Sequence, residues 1–145
     1  MHKLSVSRSF YFDAAHRLPD HMGQCANSHG HTYKLEVTVS FVTQGNSTYL
    51  RKQLCPKGSA KGMIIDFGQF KRIVKETVVD KLDHKYLNDV VFSGTPMEGT
   101  TCEIMVIEIW ERLEPIFRAI GLSLTKLRLW ETIAPTENFA TMEAV

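Results

Sequence analysis

One short segment of the sequence holds three residues whose side chains bind metals or transfer protons. In CANSHGHTY, residues 25–33, Cys25 lies four positions before His29, and His31 follows two positions later. Residues two apart in an extended strand point to the same face, so the His29 and His31 side chains are expected to lie together. This spacing alone is weak evidence for a metal site, because most such pairs of histidines are incidental.

A third histidine joins the pair when the flanking strands are considered. Residues 4–16 and residues 31–42 each alternate between apolar and polar positions, and His16 and His31 fall in the apolar phase of their strands. Two such strands joined by a loop predict an antiparallel pair, in which the end of the first adjoins the start of the second. His16, His29 and His31 are therefore expected to converge at one end of the sheet.

Three neutral imidazoles around one point suit Zn²⁺. With three protein ligands, a fourth position is left for water or substrate, which is the catalytic arrangement. Cys25 lies close enough in sequence to serve as a fourth ligand, which would make the site closed and structural. The spacing leaves both alternatives open.

Two helices are predicted to support the sheet. Asp66 is a candidate N-cap for a helix that runs to about Leu82, and a second helix starts after Thr100 and stops at Gly121. Pro115 is expected to kink or split the second helix.

Further strands complete the predicted fold. Segments 122–132 and 138–145 have strand-like patterns, residues 62–66 are expected to resume the sheet, and residues 43–61 are expected to form a long loop. Because strands and helices are grouped rather than alternating, the prediction is one α+β domain over residues 1–145. It has an antiparallel four-stranded sheet with two helices packed on one face.

Composition narrows the class of protein. The chain has 145 residues, 17 Lys and Arg against 16 Asp and Glu, and a net charge of +1, which indicates neither a nucleic-acid nor a membrane partner. No apolar run approaches the roughly 20 residues of a membrane-spanning helix. Cys25, Cys55 and Cys102 form a sparse, odd set rather than a disulfide framework. These features predict a cytoplasmic protein with reduced thiols.

Six stretches in sequence order resemble the 6-pyruvoyltetrahydropterin synthase family. Within that family, the three residues between Cys25 and His29 resemble the bacterial 6-carboxytetrahydropterin synthase branch of queuosine biosynthesis. Segment 43–61 and the ending NFATM depart from the family pattern without altering the matching stretches. These stretches are FDAAHRLP (12–19), CANSHGH (25–31), GMIIDF (62–67), LDHKYLND (82–89), TTCE (100–103) and WET (130–132).

The resemblance implies a fold, an assembly and a reaction. The fold would be the tunnelling fold, in which subunits join their sheets into a barrel, here a homohexamer built as a dimer of trimers with active sites between subunits. The substrate would be the small molecule 7,8-dihydroneopterin triphosphate, and the products 6-carboxy-5,6,7,8-tetrahydropterin, acetaldehyde and triphosphate. The alternative within the family is a 6-pyruvoyltetrahydropterin synthase, which eliminates triphosphate and keeps the two-carbon fragment.

The resemblance also implies catalytic roles. Zinc would be held by the three histidines, and Cys25 would be the general base, since a nearby cation favours the thiolate form. Asp83 and His84 would act with the cysteine. The alternative for Cys25 is a small buried residue, although its position beside His29 and His31 already favours a functional role. Without the resemblance, the Asp83–His84 pair is interpreted as the polar end of a helix.

Two glutamates are candidates for binding the pterin ring. Glu131 shares the phase of Leu127 and Leu129, so it is expected on a buried face, where a carboxylate needs a partner. Adjacent ring N–H and amino donors of a pterin match its two oxygens, although Lys126 or Arg128 could pair with it instead. Glu103 is either a second pterin contact or the last residue of a capping box that starts at Thr100.

Overall fold

Two long antiparallel strands form the centre of the sheet. The computed structural model describes residues 1–54, 61–92 and 94–145. Strand β1 (His2–His16) pairs with β2 (His29–Thr43) without interruption, from His2 opposite Thr43 to His16 opposite His29. The predicted pairing of the strand ends is therefore confirmed.

Three further strands complete a five-stranded mixed sheet. Its order is β3-β1-β2-β6-β7, with β3 at Lys85–Tyr86, β6 at Ser123–Thr132 and β7 at Asn138–Glu143. The prediction of four antiparallel strands is wrong, because β3 runs parallel to β1. A two-residue strand is too short to show any alternation in the sequence. A separate small hairpin pairs β4 (Val91–Phe92) with β5 (Thr95–Pro96).

Both edges of the large sheet are open within the described residues. Strand β1 pairs with β3 only at Ala14 and Ala15, so its outer edge from His2 to Phe12 has no strand beside it. Strand β7 forms the opposite edge. Unpaired backbone groups of this kind are able to pair with a strand of another chain.

Helices cover one face of the sheet. Helix α2 (Phe67–Val74) continues through a π-helical turn (Lys75–Val79) into α3 (Asp80–Leu82), and α4 spans Cys102–Ala119. The side chain of Asp66 caps α2 by accepting from the Gln69 N–H at 3.1 Å, as the sequence predicts. Pro115 lies within α4 without splitting it.

Segment 43–66 differs from its prediction at two places. Helix α1 (Ser47–Gln53) lies within the predicted loop, and Asn46 caps it by accepting from the Tyr49 N–H at 3.0 Å. Residues 62–66, expected to form a strand, adopt turns and bends. Residues 55–60 of the predicted loop, including Cys55, lie outside the described residues.

The core lies between the sheet and the helices. Four alternate residues of β2 are fully buried, namely Tyr33, Leu35, Val37 and Val39. They belong to one cluster with Phe70 and Val74 of α2 and with the apolar face of α4. Fully burying a side chain of this size stabilises the fold by about 1.5–3 kcal/mol. No helix of the described ranges combines the length and the apolar character that crossing a membrane requires.

Candidate metal centre and adjoining cleft

Three histidines meet at the paired ends of β1 and β2. The ring centroids of His16 and His29 are 4.6 Å apart, those of His29 and His31 4.8 Å, and those of His16 and His31 5.1 Å. One nitrogen of each ring lies within 4.8 Å of one nitrogen of each other ring. The strand register produces this convergence, because His16 pairs directly with His29 and the alternation brings His31 to the same face.

Backbone carbonyls fix the orientation of two of the rings. The Nδ1–H of His16 donates to the Thr100 carbonyl at 2.9 Å, and the Nδ1–H of His29 donates to the Asn27 carbonyl at 2.8 Å. A carbonyl oxygen only accepts, so Nδ1 carries a proton in both rings, and in the neutral ring Nε2 keeps the lone pair. Metal-binding histidines are held in the same way by their second nitrogen.

The Nε2 atoms of all three rings are buried and have no hydrogen-bond partner within the described residues. Burial lowers the pKa of His16 and of His31, so both are neutral near pH 7. Three buried nitrogens without a hydrogen bond, close to one another, are costly without a partner. Their chemistry and spacing fit a bound zinc ion, which all three could hold through Nε2.

Glu131 connects the histidine cluster to a neighbouring cleft. Its Oε1 lies 3.4 Å from the Nε2 of His31. The register between β6 and β7 shifts between Trp130 and Thr132, so Glu131 occupies a bulge, a feature that re-aims side chains next to functional sites. Neither Lys126 nor Arg128 forms an ion pair with it among the described residues.

Both predicted ring-binding glutamates line this cleft. Its volume is ≈ 450 Å³, and its lining includes Glu131, Glu103, Cys102 and Leu18. The capping box is absent, because Thr101 rather than Thr100 caps α4, accepting from the Ile104 N–H at 3.3 Å. The prediction that Glu103 completes a capping box with Thr100 is therefore wrong, because the cap lies one residue later. Glu103 is exposed at the cleft.

Cys25 lies in the loop between β1 and β2, in a single 3-10 turn formed by Gln24–Ala26. Its carbonyl accepts from the Leu18 N–H at 2.7 Å, which closes the loop beside the metal centre. The side chain is partly exposed and forms no disulfide. Among the described residues, the compact group of ligand atoms comprises the three histidines and does not include the Cys25 sulfur.

Asp83 and His84 lie apart from the histidine cluster, where α3 ends and β3 begins. The His84 Nδ1 lies 3.0 Å from Asp83 Oδ1. The backbone N–H of Asp13 lowers the pKa of Asp83, and His84 contributes further in the same direction. Asp13, Asp83 and His84 form a group of ligand atoms separate from the three histidines, and His84 and His31 line one cleft of ≈ 600 Å³.

Residues 5–143 match the protein family described as 6-pyruvoyl tetrahydropterin synthase. The chain belongs to this family. Its membership explains why the matching stretches follow one another along nearly the whole sequence.

Curated relatives within the 6-pyruvoyl tetrahydropterin synthase family carry two names. A "6-carboxy-5,6,7,8-tetrahydropterin synthase" of Haemophilus influenzae is 36% identical over 145 residues, covering 88% of this chain and 92% of the relative. The human "6-pyruvoyl tetrahydrobiopterin synthase" is 30% identical over 140 residues, covering 88% and 84%. Among solved structures, the Caenorhabditis elegans 6-pyruvoyl tetrahydropterin synthase superposes with a TM-score of 0.71 at 25% identity, covering 100% of this chain and 98% of that one.

One residue of the family fold was missed by sequence reasoning. Tyr33 is fully buried, two positions after His31, and its hydroxyl has no partner within the described residues. Burial raises its pKa, with further contributions from Glu131 and Cys102. Tyr33 lies in the apolar phase of β2, so the sequence pattern assigns it to the core. Its position two residues after His31 was the feature that could have identified it as a neighbour of the histidines.

Proposed function

We propose that this chain is a zinc-dependent 6-carboxy-5,6,7,8-tetrahydropterin synthase. It converts 7,8-dihydroneopterin triphosphate to 6-carboxytetrahydropterin, acetaldehyde and triphosphate, on the route to queuosine and other deazapurines. The observation that carries the proposal is the convergence of three unpartnered Nε2 atoms beside Glu131, which itself lines a cleft with a second carboxylate. The Haemophilus influenzae relative supports the choice of product.

Each element of the site has a role in this reaction. Zinc supplies Lewis-acid stabilisation of negative charge on substrate oxygens when it is bound. His16, His29 and His31 would hold the ion. Hydrogen bonds from Nδ1 fix the rings of His16 and His29, and the strand register fixes the position of His31. Glu131 and Glu103 bind the ring donors of the pterin from two walls of the cleft.

Proton transfer belongs to the remaining residues. Cys25, in the loop beside the centre, accepts a proton from the substrate side chain as its thiolate, a form that a neighbouring cation favours. Asp83 orients the His84 ring, and His84 exchanges protons with the substrate or the cysteine. Because Asp83 and His84 lie at the sheet edge beyond β1, they are placed to serve a site completed by another subunit.

Assembly into a cytoplasmic homohexamer, a dimer of trimers, is part of the proposal. The open edges of β1 and β7 support it, because joining them between chains extends the sheet and satisfies both rows of backbone groups. The pterin triphosphate is the small-molecule partner. The net charge of the chain, +1, does not indicate a nucleic-acid or membrane partner.

A 6-pyruvoyltetrahydropterin synthase is the second candidate. The human relative and the Caenorhabditis elegans structure favour it. The closed structural site is less favoured, since the cluster of ligand atoms leaves Cys25 out.

Product identification tests the proposal. Zinc-loaded protein incubated with 7,8-dihydroneopterin triphosphate is expected to yield acetaldehyde and a carboxypterin. Mass spectrometry identifies both products. A pyruvoyl product without acetaldehyde would establish the second candidate instead. Protein that binds zinc and turns over none of this substrate would refute both.

Glu131→Gln is expected to weaken ring binding. The amide keeps the shape but loses one acceptor and the charge, and a hydrogen bond to a charged group contributes about 1.5–3 kcal/mol. KM for the substrate is therefore expected to rise about 10- to 100-fold, measured by steady-state kinetics. Glu36→Gln, also on the sheet but paired across to Arg128 on β6, is the matched control and is expected to leave KM unchanged. An unaltered KM in the Glu131 variant would contradict the binding role.

A further inference from the structure

A short network of hydrogen bonds connects β1 to the Asp83–His84 pair. The His84 N–H donates to the Asp13 carbonyl at 2.6 Å, and the Asp13 N–H donates to Asp83 Oδ1 at 3.0 Å. The backbone N–H and carbonyl of a single residue of β1, Asp13, therefore hold both members of the pair. This contact joins residues about 70 positions apart, and nothing in the sequence pattern of β1 predicts it.

The conformation of His84 shows that this position is strongly constrained. Its φ is +59°, in the left-handed region, and it is the only non-glycine residue of the described ranges with a positive φ. Such a conformation persists where surrounding contacts enforce it, and it is concentrated at functional sites. The hydrogen bond from His84 to Asp13 is the contact that enforces it.

The tautomer of His84 is set by Asp83. The Oδ1 of Asp83 accepts from the Asp13 N–H and lies 3.0 Å from His84 Nδ1. Since an ionised carboxylate only accepts, Nδ1 donates and Nε2 is left as the proton acceptor. The outward-facing Nε2 is the atom that the proposed chemistry requires.

A second carboxylate lies close enough to disturb this arrangement. Within the group Asp13, Asp83 and His84, one oxygen or ring nitrogen of each residue lies within 4.8 Å of one such atom of each other residue. The Asp13 carboxylate is exposed. If it were free to rotate, it would compete with Asp83 for the His84 ring, because a carboxylate attracts an imidazole N–H from either side.

Thr32 restrains this second carboxylate. Its hydroxyl donates to Asp13 Oδ1 at 2.5 Å, and the two residues face each other directly across β1 and β2. Thr32 points away from the metal centre, because it alternates with His31 along β2. Asp13, Thr32 and His84 line a cleft of ≈ 600 Å³ at the β3 edge of the sheet, which His31, Lys85 and Tyr86 also line.

We infer that Thr32 is a positioning residue for His84 and acts through Asp13. By holding the Asp13 carboxylate, it leaves Asp83 as the single acceptor for the imidazole Nδ1–H. The inference rests on the proposed function for the catalytic importance of His84, but the geometry it describes is independent of that function.

A matched pair of variants separates this role from ordinary strand pairing. Thr38 on β2 makes an equivalent hydroxyl contact, with Ser7 of β1 at 2.7 Å, far along the same two strands. Thr32→Val and Thr38→Val each remove one exposed hydroxyl contact between the same strands. Any loss that belongs to strand pairing alone is expected in both.

Thr32→Val is expected to lower kcat about fivefold with KM changed less than twofold, the size of effect that follows from losing one hydrogen bond. Thr38→Val is expected to retain wild-type kcat, Thr32→Ser to restore it, and zinc content to be the same in all three. Asp13→Ala removes the competing carboxylate, so adding Thr32→Val to it is expected to have no further effect. An equal loss of kcat in the Thr32→Val and Thr38→Val variants would overturn the inference.

Nitrogen-15 NMR of the His84 ring provides a readout that does not depend on turnover. The wild-type protein is expected to show Nδ1 protonated and Nε2 unprotonated, and Thr32→Val to show a mixture of the two tautomers. Asp13→Ala combined with Thr32→Val is expected to return the wild-type pattern. Identical ring signals in wild type and Thr32→Val would overturn the inference, whether or not the substrate assay finds the proposed activity.

Discussion

Cys25→Ala is expected to lower turnover of 7,8-dihydroneopterin triphosphate by about 10²–10⁴-fold, the contribution of a positioned general base. The sulfur lies outside the compact group of histidine ligand atoms. Zinc is therefore expected to remain bound at one per chain. Steady-state kinetics and metal analysis of the same preparation measure the two quantities together.

The outcome for zinc decides between a base and a ligand. If the Cys25→Ala protein loses its metal along with its activity, Cys25 is a fourth ligand and the site is closed. Cys25→Ser supplies a second test, because a hydroxyl is far less acidic than a thiol and does not form the anion that acts as the base near neutral pH. It is expected to resemble the alanine variant in turnover and the wild type in zinc content.

His29→Ala is expected to abolish stable zinc binding and, with it, activity. Two imidazoles would be left where three converge, and the Nε2 atoms of His16 and His31 would again be buried without a partner. Metal analysis after dialysis is expected to find less than a tenth of the wild-type zinc. The loss of a bound metal is also expected to lower the thermal midpoint, since a ligand of the native state stabilises it.

His2→Ala is the matched control for this variant. The ring of His2 also donates from Nδ1 to a backbone carbonyl, that of Gly45 at 3.0 Å, but it lies at the far end of the β1–β2 pair. It is expected to retain wild-type zinc and turnover. Full zinc occupancy in the His29→Ala protein would contradict the proposed metal centre.

The central strands and the histidine convergence could be predicted from the sequence because one physical signal decides both. Alternation with a period of two assigns faces, and the antiparallel register then fixes which ends meet. The apolar partners of His16 and His31 in each strand made the phase unambiguous. The helix start at Asp66 was equally accessible, because an N-cap depends on a single side chain.

The features that sequence did not predict depend on contacts between distant segments. Strand β3 has two residues and exists because Ala14 and Ala15 offer backbone groups to it. The N-cap of α4 is Thr101 rather than Thr100, and two adjacent threonines offer the same capping chemistry. Helix α1 lies in a segment whose polar composition favours a loop.

The sequence indicated candidate site residues but not the hydrogen bonds that connect them. Nothing in the order of residues shows that the Asp13 backbone would hold Asp83 and His84, because β1 and the junction between α3 and β3 are about 70 positions apart. The bulge at Glu131 is likewise a property of the β6–β7 register. Tertiary hydrogen bonds decide these features, and they carry no periodic signature along the chain.

The hydrogen bond from His16 to the Thr100 carbonyl has a thermodynamic consequence. Thr100 immediately precedes the cap of α4, and the first turn of that helix bears Glu103 at the wall of the cleft. A cation that ordered the His16 ring would therefore also order the helix start at the wall of the cleft. Linkage requires that the effect be reciprocal, so a ligand of the cleft whose affinity rises on metal uptake must raise the affinity for the metal by the same free energy.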